Sequence, residues 1–385
     1  MADATGLRPL SRLLVDSALG RTLTEVGPEL SGYAAADVLE ASSLHRVAPA
    51  VARALASAAQ VPAEWSRVLA PARHAQIARH MRAVADLRII ATALDAAGIG
   101  WVAIKGPVAA ELIWPSVDMR EYFDLDLLVD RGEFARAMSV LAEAGLRLLD
   151  RNWPLLERSR RAELTLLAPN GTPVDLHWDI AVAPRLRRGF RTDVPGMLAR
   201  SRRVPLPQGF DVGVLDPEDT LVHLAFHAAQ EGATRLMWLA DLHYAAVGPT
   251  VDWDTIARRA RAMRLEVPLG MILDRVQRTL GGSVGTSFRA VGPGPGAWGE
   301  LARRTDARVR FPGLPGDPHL SGAVYRSARR SLPTSAAVLL RSQVEARRIE
   351  ARERRRRSPG RPLRLDVPDA GARARYLQWV AGGAR

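Results

Sequence analysis

Residues 123–130 read FDLDLLVD, and this run constrains the fold more than any other: aspartates at 124 and 126 alternate with Leu125, Leu127 and Val129. Successive side chains of a strand point to opposite faces, so an extended run here buries one face and turns two carboxylates out of the other. A second segment, TPVDLHWDI at 172–180, repeats the pattern with Asp175 and His177 on one face. Asn170-Gly171 joins it to ELTLLAP at 163–169 and is a hairpin signal. Two carboxylates on one face, with a third from a neighbouring strand, make a trap for Mg²⁺ or Mn²⁺, which take oxygen ligands and share them with substrate phosphates.

The run GIGWVAIKG at 98–106 reads as a short strand, and PVAAELIW as the helix 107–114 that it opens with Pro107 at the first helical position. The Lys105-Gly106 turn and the free N–H groups beyond it are expected to face an anion such as phosphate. Lys105 is the chain's one lysine, every other basic residue among the 54 being arginine. An ammonium acts on phosphate as a compact point charge where a guanidinium asks for a planar, bidentate partner. Arg120, one short loop before the carboxylate strand, is read either as a phosphate contact or as an ion-pair partner of Asp118 or Glu121. His177 either orients a carboxylate, contacts substrate or packs as a neutral imidazole. Asp130 and Glu133 form a capping-box pattern for a helix 131–144, so Asp130 reads as a cap and not as a ligand. His223 and His227 share a helix face. No HExxH glutamate and no third ligand accompany them, so they read as a packed or substrate-facing pair, and not as a zinc site.

Taken together, KGPVAAELIWPSVDMREYFDLDLLVD, VDLHW and LVHLAFHAAQEGATRLMWLADL resemble the uncharacterised nucleotidyltransferase-like family of bacteria, a branch of the DNA polymerase β superfamily. The resemblance covers roughly residues 70 to 280. It implies an α+β fold with a polymerase β-like nucleotidyltransferase core, and metal-dependent transfer of a nucleotidyl or related group from a nucleoside triphosphate to a hydroxyl-bearing acceptor. On it, Asp124, Asp126 and Asp175 would hold metal, and Lys105 and Arg120 would meet phosphate. The chain departs from the superfamily in two ways. Lys105-Gly106 stands where relatives place a Gly-Ser pair closer to the aspartates, and the bulky Phe123 precedes the first aspartate. That ring is expected to narrow the nucleotide site, which motivates an alternative reading as a nucleotide-binding protein without turnover.

The remainder divides by composition into a helical region 1–98, the αβ core 99–182, a helical region 183–300 and an Arg-, Gly- and Pro-rich tail 301–385. From Pro62 to Ala97, Ile77, Met81, Val84, Leu87, Ile90 and Leu94 follow the spacing of an amphipathic helix. Residues 184–213 read as a loop-bearing connector. A basic helix is expected over 334–357, then a short terminal segment containing RARYLQW. The formal net charge of +13 lies entirely in 301–385, which holds 20 arginines against 7 acidic residues. The catalytic body is therefore neutral, and any nucleic-acid contact is expected from the tail alone. Zero cysteines exclude thiol catalysis and Cys-ligated zinc and fit a cytoplasmic protein. No apolar run reaches the length of a membrane span.

Overall fold

The computed structural model describes residues 9–30, 32–247, 251–292, 294, 296–308, 320–353 and 362–382. Its centre is a five-stranded mixed sheet in the order β1-β2-β5-β4-β3. The strands are β1 Trp101–Ala103, β2 Leu125–Val129, β3 Arg147–Leu148, β4 Glu163–Leu167 and β5 Pro173–His177. Strands β2 and β5 run parallel, and the other neighbouring pairs run antiparallel. The register across the parallel pair sets Asp126 opposite Asp175 and Leu128 opposite His177. In the β4–β5 hairpin, Thr165 stands opposite Asp175 and Glu163 opposite His177.

The period-two pattern of these strands separates the two faces of the sheet. One face, with Leu125, Leu127, Val129, Leu164, Leu166, Val174 and Leu176, is buried against helices. Leu87, Ile90 and Leu94 come from the long helix Ala63–Ala96, and Phe134 and Leu141 from Phe134–Glu143. Met81, expected in the stripe of the long helix, is instead 68% exposed. Helix Phe134–Glu143 starts later than the capping pattern suggested, because Asp130 is used one turn earlier, where its Oδ1 accepts from the Gly132 N–H at 2.7 Å.

The other face meets a second core. Val102, Ile104 and Leu128 pack into a cluster built from the N-terminal helices Pro9–Ala18, Ala35–Leu44 and Ala48–Ala56 together with Pro217–Gln230, Leu236–Val247 and Glu266–Leu280. Segments far apart in sequence thus share one hydrophobic core over the carboxylate-bearing side of the sheet. The molecule is a mixed α+β fold.

Two elements differ from the sequence reading. Within the expected connector, Arg202–Leu206 (β6) and Phe210–Val214 (β7) form an antiparallel hairpin. It presses onto β1 so closely that a Cβ at Gly213 would lie 2.3 Å from the Trp101 carbonyl oxygen. At the C-terminus, Ala370–Ala381 is a helix whose Ala372, Tyr376 and Val380 are buried in the core behind the sheet. Trp379 meets Trp178 edge to face at a centroid distance of 5.4 Å, and Arg131 donates to the Trp379 carbonyl at 2.7 Å. The stripe at four-residue spacing among arginines is the amphipathic pattern of a docked helix. Of the expected basic helix, Leu332–Glu353 is described. Residues 354–357 and the Gly/Pro run 311–318 lie outside the described residues. No described helix is long and apolar enough to cross a membrane.

Candidate active site

The turn between β1 and the six-residue helix Pro107–Leu112 sets the site's geometry. Gly106 has φ 66°, a left-handed conformation that side chains other than glycine's rarely adopt. A Cβ there would also lie 2.7 Å from the Asp124 carbonyl oxygen and 3.3 Å from the Leu125 Cα. Only glycine lets the turn lie against the start of β2. The role visible for Gly106 is steric, and it carries Lys105 to the carboxylates. Lys105 Nζ stands 3.0 Å from Asp126 Oδ1, and His177 Nε2 lies 3.2 Å from the same oxygen. His177 Nδ1 lies 3.6 Å from Glu163 Oε2. Asp124, Asp126, Asp175, Lys105 and His177 all line one cavity of about 370 Å³. Its opposite wall is the helix Pro217–Gln230, from which His227 Nδ1 comes to 3.5 Å of Lys105 Nζ.

Burial and like charge shape the protonation of this group. Burial works against the Lys105 ammonium, but Asp126 and Asp124 outweigh it and raise its pKa. Burial would also raise Asp126, yet Lys105 and the His177 hydrogen bond hold it well below the usual carboxylate range. Asp124 is raised, first by burial and then by Asp126. Asp175 is pushed up to about 7 by burial and by its neighbours Glu163 and Asp126. On the facing helix, burial and Lys105 push His223 down to about 3 and His227 well below its ordinary value, so both rings are neutral. Their planes stack at 29° and 6.4 Å, and neither ring nitrogen of His223 has a hydrogen-bond partner among the described residues.

Arg120 is committed elsewhere than the sequence suggested. Its Nε and Nη2 donate to Asp241 Oδ1 at 2.7 Å and Oδ2 at 2.9 Å, and its Nη1 donates to the Gly106 carbonyl at 3.3 Å. Trp114 Nε1 donates to the same Asp241 Oδ1 at 2.6 Å. Both charges are buried, Arg120 at 2% and Asp241 at 1% exposure. The guanidinium borders the cavity as a strut between helix Leu236–Val247 and the Lys105-Gly106 turn. Asp118, named as its alternative partner, pairs instead with Arg53 and Arg73. Phe123 does not narrow the cavity. It is 43% exposed and lies between the guanidiniums of Arg46 at 4.9 Å and Arg79 at 4.3 Å. Among the lining residues that had not been singled out from sequence are Glu163 and Arg46. Glu163 was accessible through the register of the Asn170-Gly171 hairpin, which sets it opposite His177. Arg46 comes from the N-terminal helical region, and no local pattern marks it.

The fit to a divalent cation has two sides. The donor set is all carboxylate, the chemistry that suits Mg²⁺, and the raised Asp124 and Asp175 mark negative charge that a cation would stabilise. As the side chains stand, however, no three described His, Asp or Glu residues form a ligating group. The Asp126 oxygen is taken by the Lys105 ammonium. A family model described as "Uncharacterised nucleotidyltransferase" matches residues 34–281, a span holding the sheet and both walls of the cavity. A comparison with curated proteins gives no match.

Proposed function

This chain belongs to the uncharacterised nucleotidyltransferase family, and from that premise we propose that it transfers a nucleotidyl group from a nucleoside triphosphate to a hydroxyl-bearing acceptor on a polymerase β-like core. The observation that carries the reading is the convergence of Asp124, Asp126 and Asp175 on one cavity with Lys105. Asp124, Asp126 and Asp175 would hold Mg²⁺ or Mn²⁺. A bound cation would supply neutralisation of the transferring phosphoryl group and orient it. Lys105 supplies a positive charge to the departing pyrophosphate, which leaves with the electrons of the broken P–O bond. Asp175, with its carboxyl near pKa 7, is placed to take the proton of the acceptor hydroxyl. His177 hydrogen-bonds Asp126, with Glu163 3.6 Å from its other ring nitrogen, and holds the Asp126 carboxylate in place.

Substituting Asp124→Asn and Asp126→Asn tests this: labelling of acceptors from radiolabelled triphosphates should vanish while the circular dichroism spectrum is kept. Normal turnover in both variants would refute the assignment. A second reading, nucleotide binding without chemistry, is favoured by the absence of a ready-made ligand triad among the described residues. Calorimetry with triphosphates separates the two, since tight metal-dependent binding with no product across many acceptors supports the second. Modification of RNA, such as nucleotide addition to an RNA acceptor held by the Arg-rich tail, is a further proposal. It predicts that replacing Arg347, Arg348 and Arg352 with Gln, which leaves the docked helix Ala370–Ala381 in place, weakens acceptor use and flattens its salt dependence.

A further inference from the structure

Arginines around the site divide into two groups. Arg120 pairs with Asp241, Arg161 with Glu163, and Arg53 and Arg73 with Asp118. Arg46, Arg79 and Arg235 form no salt bridge with any described residue and instead lie against aromatic rings. Arg46 and Arg79 flank Phe123, and Arg235 lies 5.0 Å from the centroid of Trp238. Arg46 and Arg235 line the same cavity as Asp124 and Asp126. Arg46 is presented by a turn with φ 53°, a conformation uncommon for any residue but glycine. Burial and then the like charge of Arg46 depress the Arg235 guanidinium. Burial foremost, with Arg82 and Arg46 adding to it, depresses Arg79. The acidic groups facing the cluster are Glu121, Glu231 and, beside Arg46, the cavity carboxylate Asp124. Glu121 is raised by burial although three guanidiniums are near, and its Oε2 has no hydrogen-bond partner. Arg79 donates to Gln76 Oε1 at 2.7 Å, and none of the three has a carboxylate in salt-bridge contact among the described residues. Half-buried cations held on aromatic faces and repelling one another are arranged to receive an anion from solution.

We propose that Arg46 and Arg235, with Arg79 behind Phe123, form an oxyanion cradle on the cavity wall that takes the polyphosphate of the donor, with Glu121 as the carboxylate the incoming anion competes against. The proposal rests on the nucleotidyl-transfer reading for the identity of the donor, but not for the existence of the cradle. It gives the N-terminal helical region a part in the site, because Arg46 follows helix Ala35–Leu44. It also shifts phosphate recognition away from Arg120, which Asp241 already occupies.

The test is calorimetric titration of the full chain with inorganic tripolyphosphate in metal-free, low-salt buffer. Arg46→Gln and Arg235→Gln should each weaken binding about tenfold, since a charge-assisted hydrogen bond is lost. Glu121→Gln should tighten it, and opposite signs from neighbouring positions cannot arise from misfolding. Arg202→Gln, on an exposed strand away from this cavity, should change nothing. Affinities of both arginine variants within about twofold of the parent, or no binding by the parent, would overturn the cradle. Orthophosphate binding as tightly as tripolyphosphate would overturn the donor assignment in favour of an acidic acceptor. If tripolyphosphate responds as expected and no transfer is ever detected, the cradle stands and the transfer reading falls. If transfer occurs while the variants bind normally, the reverse holds.

Discussion

Asp241→Asn should be among the most damaging single changes in the molecule outside the carboxylate cluster. The substitution keeps the shape of the side chain and removes its charge, leaving the Arg120 guanidinium at 2% exposure without the carboxylate it is hydrogen-bonded to and with only the more distant Asp124 nearby. It also presents an amide N–H to one of the two guanidinium nitrogens that now donate at 2.7 and 2.9 Å. Breaking one side of a buried ion pair costs about 3–5 kcal/mol, and the same is expected here. Removing both charges with Arg120→Met/Asp241→Leu should recover most of that loss, because an apolar pair of similar volume avoids the desolvation of two ions. The recovery stops about 1–3 kcal/mol short, since Trp114 Nε1 loses the acceptor it holds at 2.6 Å and becomes an unsatisfied buried donor. Urea denaturation of the parent, Arg120→Met, Asp241→Leu and the double variant, with Asp241→Asn beside them, followed by tryptophan fluorescence, measures the coupling. An Asp241→Asn loss below about 1 kcal/mol, or a double variant no more stable than Asp241→Asn, refutes the strut. The double variant should keep most of its triphosphate binding, because Arg120 is spent on Asp241.

Further outcomes follow from the same geometry. Gly106→Ala should destabilise by about 1–3 kcal/mol through its positive φ and its collision with the Asp124 carbonyl, and weaken triphosphate binding by displacing Lys105; calorimetry and thermal melting read the two effects. Asp175, pushed up to about 7, stays protonated in the folded protein while the unfolded chain ionises near 3.8. The folded state therefore binds more protons between those values, and this group's contribution to stability falls as pH rises through that window. Buried His45 and His223, shifted the other way, oppose it, so the comparison is a difference: Asp175→Asn should gain stability relative to the parent on going from pH 5 to pH 8 in the presence of EDTA. Tyr376→Ala should cost about 3–5 kcal/mol by emptying a fully buried ring position, and a melting temperature close to the parent's would show that the C-terminal helix is dispensable.

Strand alternation made the DxD face legible, because a period of two needs no distant partner to be read. The Asn170-Gly171 hairpin did the same for Asp175 and His177, and its register already contained Glu163. Lys105 was legible through its uniqueness, though the reason for the glycine beside it was not, since that reason is the backbone of β2 passing 2.7 Å from where a Cβ would be. The β6–β7 hairpin was hidden because Pro205 and exposed arginines break the alternation that marks a strand, and it is stabilised by packing on β1. The terminal helix read as a tail because its stripe is short and set among arginines, and the core it buries against, Trp153 beside Tyr376 included, comes from segments distant in sequence.

The sequence by itself determined the chemistry: which side chains are acidic, which one is an ammonium, and which of them share a face, all set by local geometry within a strand or turn. The tertiary structure decided their partners. That Asp126 meets Lys105, that Arg120 is consumed by Asp241, and that Arg46 reaches the cavity from the N-terminal helices all depend on contacts between segments distant in sequence. Such contacts follow from how apolar faces close on one another, and no periodicity within a single segment encodes them.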